Sequence, residues 1–268
     1  MNDHRNENPF ARRGLASVLL RLSVALAASS MLFFASCSES QRLTVAADGS
    51  GTADVEVTLA PMLVSYLHDL MASMAGADDN GGGAAGAPPI FDLERVRAAF
   101  GQLPGVSGLA VGAPSDGTLT LRFAFRSLRA LLGGPQAAEG SNPITLTTSG
   151  GATTIRFYLD RGNLQALTSL PPLRDNPLLL ALVPKGTSRV TEAQELELLD
   201  YAFGDYAPKG STVGAVVRAS AIRVSLTVEG QIVSQRGGTQ AGNTVVFTLP
   251  LLRLLTLEQP VDYAVTYR

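Results

Sequence analysis

The chain has 268 residues, with 21 Lys and Arg against 23 Asp and Glu, two histidines, one cysteine and no tryptophan. A near-neutral, slightly acidic balance argues against a nucleic-acid partner, which would call for a basic surface. A single cysteine excludes an intramolecular disulfide, and so few His and Cys exclude the usual zinc sites.

The first 36 residues read as a signal peptide. Arg12, Arg13 and Arg21 form a basic n-region, and the run Leu22–Ala35 (LSVALAASSMLFFA) carries no charge. It falls short of the roughly 20 apolar residues that span a bilayer. Small residues Ala35 and Ser36 offer a cleavage point, directly before Cys37. The stretch Phe34-Ala35-Ser36-Cys37 resembles the lipobox of bacterial lipoproteins, with Phe34 in place of the usual leucine. That resemblance implies a diacylglyceryl group on Cys37, a firm anchor because two acyl chains hold where one binds marginally. Two other readings are an uncleaved signal anchor ending in an ordinary thiol, and conventional cleavage that releases a soluble product. The place of Cys37 immediately after the apolar run favours lipidation, and with it a membrane-anchored domain in the cell envelope, outside the cytoplasm. Residues 37–268 keep 17 of the 21 basic and 21 of the 23 acidic residues, so the mature chain is slightly more acidic than the precursor.

Residues 37–42 read as a short polar tether, and 43–268 as a globular domain that could divide into two subdomains near 133–143. Leu43, Val45 and Ala47, then Ala53, Val55, Val57 and Leu59, alternate with polar residues around Asp48-Gly49-Ser50-Gly51. Period two around a Gly-rich turn predicts a hairpin. Pro61 suits the first turn of a helix, and Leu63, Tyr66, Leu67, Leu70, Met71 and Met74 follow at helical spacing. The run 76–89 (GADDNGGGAAGAPP) has no periodicity and reads as a loop. Asp92 is a candidate N-cap for a helix through Leu103. A second hairpin turns at Ser115-Asp116-Gly117, and its return arm sets Leu119, Leu121, Phe123 and Phe125 on one face.

A short helix at 127–132 leads into the Gly/Pro-rich stretch 133–143. Ile144 and Leu146, then Ile155, Phe157 and Leu159, predict a third hairpin around Gly150-Gly151. Residues 160–207 read as helical, with starts at Asn176-Pro177 and at Thr191-x-x-Gln194 and a stop at Gly204. Alternation returns at Ile222–Val228, Val245–Leu249 and Val261–Tyr267. Strands with one apolar face each predict an α+β fold, antiparallel sheet built from hairpins with helices packed on one side.

Catalytic machinery is hard to find. A Ser-His-Asp triad in the mature chain would need His68, which reads as an exposed helix residue beside Asp69. The carboxylates Glu192, Glu195, Glu197, Asp200 and Asp205 could serve a hydrolase or a divalent cation, but on an amphipathic helix they read first as its wet face. No catalytic residue, metal ligand or cofactor is therefore assigned. Two sets of residues suit binding. Met62, Tyr66, Met71 and Met74 on one helix offer an adaptable apolar face, against the alternative of ordinary core packing. Arg122, Arg126 and Arg156, with Arg129, could meet lipid phosphates, against the alternative of solvated strand faces.

The order of hairpin, helix, Phe91-Asp92-Leu93 helix and hairpin, with a late Val224–Glu229 strand and Gly242-Asn243-Thr244-Val245, resembles envelope lipoproteins of the LppM type. The resemblance implies a lipobox joined to an α+β domain that binds lipid. The expectation is a non-enzymatic lipoprotein that binds an amphiphile or an envelope protein. A structural or assembly component of the envelope is the alternative, and a carboxylate-dependent hydrolase comes third.

Overall fold

The described residues (36–75, 89–131, 143–168 and 190–268) of the computed structural model contain eleven strands and seven α-helices. Alternating side chains give each strand one apolar face, and those faces meet between two sheets. The larger, sheet A, is centred on β1 (Ser36–Val45). On one side β1 pairs antiparallel with β2 (Gly51–Leu59), followed by β4 (Thr118–Phe125) and the edge strand β3 (Val106–Ser115). On the other side β1 runs parallel to β7 (Ala221–Val228), which pairs antiparallel with β10 (Thr244–Pro250) and through it with β9 (Gly238–Ala241). Sheet B has the order β5 (Ile144–Ser149), β6 (Ala152–Leu159), β11 (Val261–Tyr267) and β8 (Ile232–Arg236), all antiparallel.

The α+β class is observed, with helices fewer on the sheet faces than the alternation suggests, because sheet B itself covers much of sheet A. Val57, Leu119, Leu121, Phe123, Leu226 and Val245 from sheet A join Val265 and Tyr267 from sheet B in one buried cluster. Helices α2 (Leu93–Gly101) and α3 (Leu128–Leu131) add Phe100, Leu128 and Leu131 to it. Burying each such side chain is worth about 1.5–3 kcal/mol. The expected N-cap is present: the Asp92 carboxylate accepts from the Arg95 N–H at 2.9 Å.

The opposite face of sheet A is polar. Thr52, Thr44, Thr227 and Thr244 stand in register across four neighbouring strands, and Arg122, Asp54 and Arg42 across three. Along one flank the sandwich is closed by a corner, where β8 in sheet B passes into β9 in sheet A at Gly237. Gly237 has φ 80°, and a Cβ there would lie 2.3 Å from Tyr263 Cδ1. Glycine is the residue this bend accepts.

Two expectations are corrected. Residues 38–42 are not a tether but the first half of the central strand, paired with Asp54–Thr58 and with Ala221–Ser225. Ladders on both sides satisfy the backbone there, so the strand does not depend on apolar side chains to hold its place. A division near 133–143 is also absent, since strands from before and after it share sheet A. The glycine-rich segment 76–88, the stretch 132–142 and the Asn176-Pro177 helix start lie outside the described residues.

A candidate binding surface at the start of the central strand

Four helices gather at the end of sheet A where β1 begins. Helix α1 (Pro61–Ala75) leaves from the end of β2, and α6 (Val213–Ala219) arrives at the start of β7; these are the strand ends that flank Ser38. Helix α7 (Leu251–Thr256) follows β10, and α5 (Glu192–Phe203) packs chiefly on α1, α6 and α7. Local sequence accounts for the starts. Thr191 and Gln194 form the expected capping box, and Thr212 Oγ1 accepts from the Ala215 N–H at 3.1 Å. Gly204 follows as the C-cap of α5, as the sequence implies.

The inside of this helical cap is apolar. Leu59, Met62, Leu63, Leu199, Phe203, Val213, Val217 and Leu251 are buried together. Tyr66 presents its ring edgewise to Phe203 at 5.0 Å and to Tyr206 at 5.6 Å. Tyr206 Oη donates to Asp69 at 3.0 Å, and this bond to a carboxylate pushes the phenol pKa up. His68 Nε2 lies 2.7 Å from Asp116 Oδ2 and so ties α1 to the turn between β3 and β4. The histidine is thus less free than its helix position suggests, and its carboxylate partner is Asp116 rather than neighbouring Asp69.

The outside differs. Tyr201 is 92% exposed and Leu198 59%, one helical turn apart on α5, while Leu199 and Phe203 face inward. Glu192, Glu197 and Asp200 are exposed around them. Glu195 is half-buried, and desolvation raises its carboxyl pKa. Among the described residues, no three His, Cys, Asp or Glu side chains come close enough to hold a metal ion.

Of the α1 candidates the fold brings Met62 and Tyr66 into one buried cluster. Met62 is core, Tyr66 is half-buried against α5 and Met71 is partly exposed; the Met74 side chain lies outside the described residues. Arg122 pairs with Asp54 on the polar face of sheet A. Arg156 holds Asp262 through two bonds of 2.8 and 3.1 Å on sheet B and stacks over Tyr158. Arg126 follows β4, where its N–H donates to Gly105 O, and Arg129 is exposed on α3. Arg122 and Arg156 thus lie on exposed faces of two different sheets, in line with the solvated-face alternative. Sequence reasoning missed Leu198 and Tyr201. Their signal is an excess, since Leu196, Leu198, Leu199, Tyr201 and Phe203 are more apolar residues than one buried stripe can take.

Among the described residues, no helix is long and apolar enough to cross a membrane. No family model matches the sequence, and no curated protein matches it. Among solved structures, the folded domain of LppM from Mycobacterium tuberculosis, determined by NMR, is similar over 86% of this chain and 88% of that one, at 13% identity and a TM-score of 0.37.

Proposed function

We propose that this chain is an envelope lipoprotein, held to a membrane by a diacylglyceryl group on Cys37, and that its α+β domain binds an amphiphile or a protein partner without catalysing a reaction. One observation carries the reading: the residues that follow the proposed cut enter directly into the central strand of the fold. The uncharged run ends at Ala35, and the continuous ladder of β1 starts at Ser38 after an irregularity between Ser36 and Ser38. Among the described residues, cleavage before Cys37 would remove only Ser36, which lies before that continuous ladder. Among those residues the cut therefore removes a single strand pair, Ser36 with Leu59, at the end of sheet A. Mass spectrometry of the N-terminal peptide from cells making the full chain tests this. The expected product begins at an acylated Cys37, and Cys37→Ala abolishes both acylation and cleavage at this site. A wild-type product with an unmodified Cys37 sinks the proposal.

A further inference from the structure

We infer that the outer face of α5 lies on the lipid surface, with Leu198 and Tyr201 entering the interface beside the anchor. The inference rests on the anchoring at Cys37 proposed above.

Reach is the first argument. The lipid-bearing residue is followed at once by Ser38, which is already paired with Thr58 and Ala221. An extended residue spans at most about 3.6 Å, so no length of chain is left to hold the domain away from the headgroups. The end of sheet A at which β1 starts must therefore face the bilayer at close range. Leu59 and Ala60, beside that end, share a buried cluster with Leu199 and Phe203 of α5. A helix with its side chains is about 10–12 Å across, so a helix in this cap reaches the headgroup layer.

Surface chemistry is the second argument. Among the described residues the large exposed hydrophobics are Leu198, Tyr201 and Val233, and two of these three sit on this one helix. A leucine beside a tyrosine suits the interface, where an apolar body can be buried while the phenol stays wet. The nearby carboxylates Glu192, Glu197 and Asp200 would be repelled by anionic headgroups, which assigns the face to neutral lipid and leaves the covalent anchor to supply the attachment.

The test uses the full-length, lipidated protein in phosphatidylcholine vesicles. Because acylation consumes the thiol of Cys37, a new cysteine at one position takes a thiol-reactive, environment-sensitive dye alone. Leu198→Cys and Tyr201→Cys are compared with Thr44→Cys on the polar face of sheet A and Val233→Cys on β8. The expected result is blue-shifted emission at 198 and 201, quenched severalfold more by nitroxide-bearing lipids than at 44 or 233. Equal quenching at all four positions overturns the inference. Shielding of 198 and 201 in native membranes but not in protein-free vesicles overturns it too, and assigns the face to a protein partner. Uptake of dye by the wild type marks a different failure: Cys37 is then free, and the anchor reading itself is wrong.

Discussion

Strand β4 of sheet A and the β5–β6 side of sheet B bury their inner faces to different depths. On sheet A the run Leu119, Leu121, Phe123 and Phe125 is at most 3% exposed, closed in by sheet B and helices α2 and α3. On sheet B, Leu146, Ile155 and Phe157 remain half-buried, while its outer face carries Arg156 and Arg236 on one carboxylate, Asp262. The difference teaches that β4 owes its place to apolar packing, whereas the β5–β6 side of sheet B depends more on polar ties, and the opposite edge, at β8, is held by the corner. Water already reaches part of what sheet B would lose in a truncation.

The sharpest way to break the comparison is Phe123→Ala. A buried aromatic cut to alanine should cost roughly 3–5 kcal/mol, read as a lowered denaturant midpoint. A cost below about 1 kcal/mol would mean that the face lines a yielding cavity rather than a packed core. Next comes Gly237→Ala at the corner. Left-handed backbone strain of about 1–2 kcal/mol and the collision with Tyr263 add up to an expected loss of about 2–3 kcal/mol. An unchanged midpoint would show that sheet B does not rely on this bend.

Smaller effects sharpen the polar side. Bonding to Arg156 holds the Asp262 carboxyl below its ordinary pKa. A carboxyl depressed in the folded state stabilises fully above its unfolded value, about 3.9, and loses that contribution as pH falls through the folded value. Asp262→Asn should therefore lower the denaturant midpoint at pH 6 by no more than about 1 kcal/mol, and the gap from wild type should close on acidification below about pH 3.9. A gap that stays constant down to low pH would remove the ion pair from the account. Least of all is expected from Asp54→Ala, which opens the exposed pair with Arg122 on sheet A; the change should stay within about 0.5 kcal/mol.

Much of the frame is legible in the sequence wherever side chains report the period. Thr118–Phe125 reads as a half-buried strand because its alternation is unbroken, and Asp92 and Thr191-x-x-Gln194 announce their helices through cap chemistry. The rest was hidden for definite reasons. Ser38–Arg42 is polar yet central, because its partners are backbone groups that leave no mark on composition. Strands β8 and β9 are short and split by Gly237-Gly238, so neither builds a pattern. Helix α7 follows the apolar end of β10 directly, and Leu251–Leu255 shows no change of period at Pro250 that would separate the two. The candidate surface suffers most. Methionine count pointed to α1, but Met62 is core, and two of the three large exposed hydrophobics among the described residues sit instead on α5, which its carboxylates made look ordinary.

The parallel pairing of β1 with β7 has a consequence in time. Partners such as Ser38 and Ala221 are about 180 residues apart, and contacts this distant are slow to form because a long loop must close first. A chain that emerges from its N-terminus can pair β1 with β2 early, but the other edge of β1 waits until β7 arrives. For that interval the central strand offers an open edge to any neighbouring chain, and crowded copies would be most exposed to mispairing just before their folding is complete.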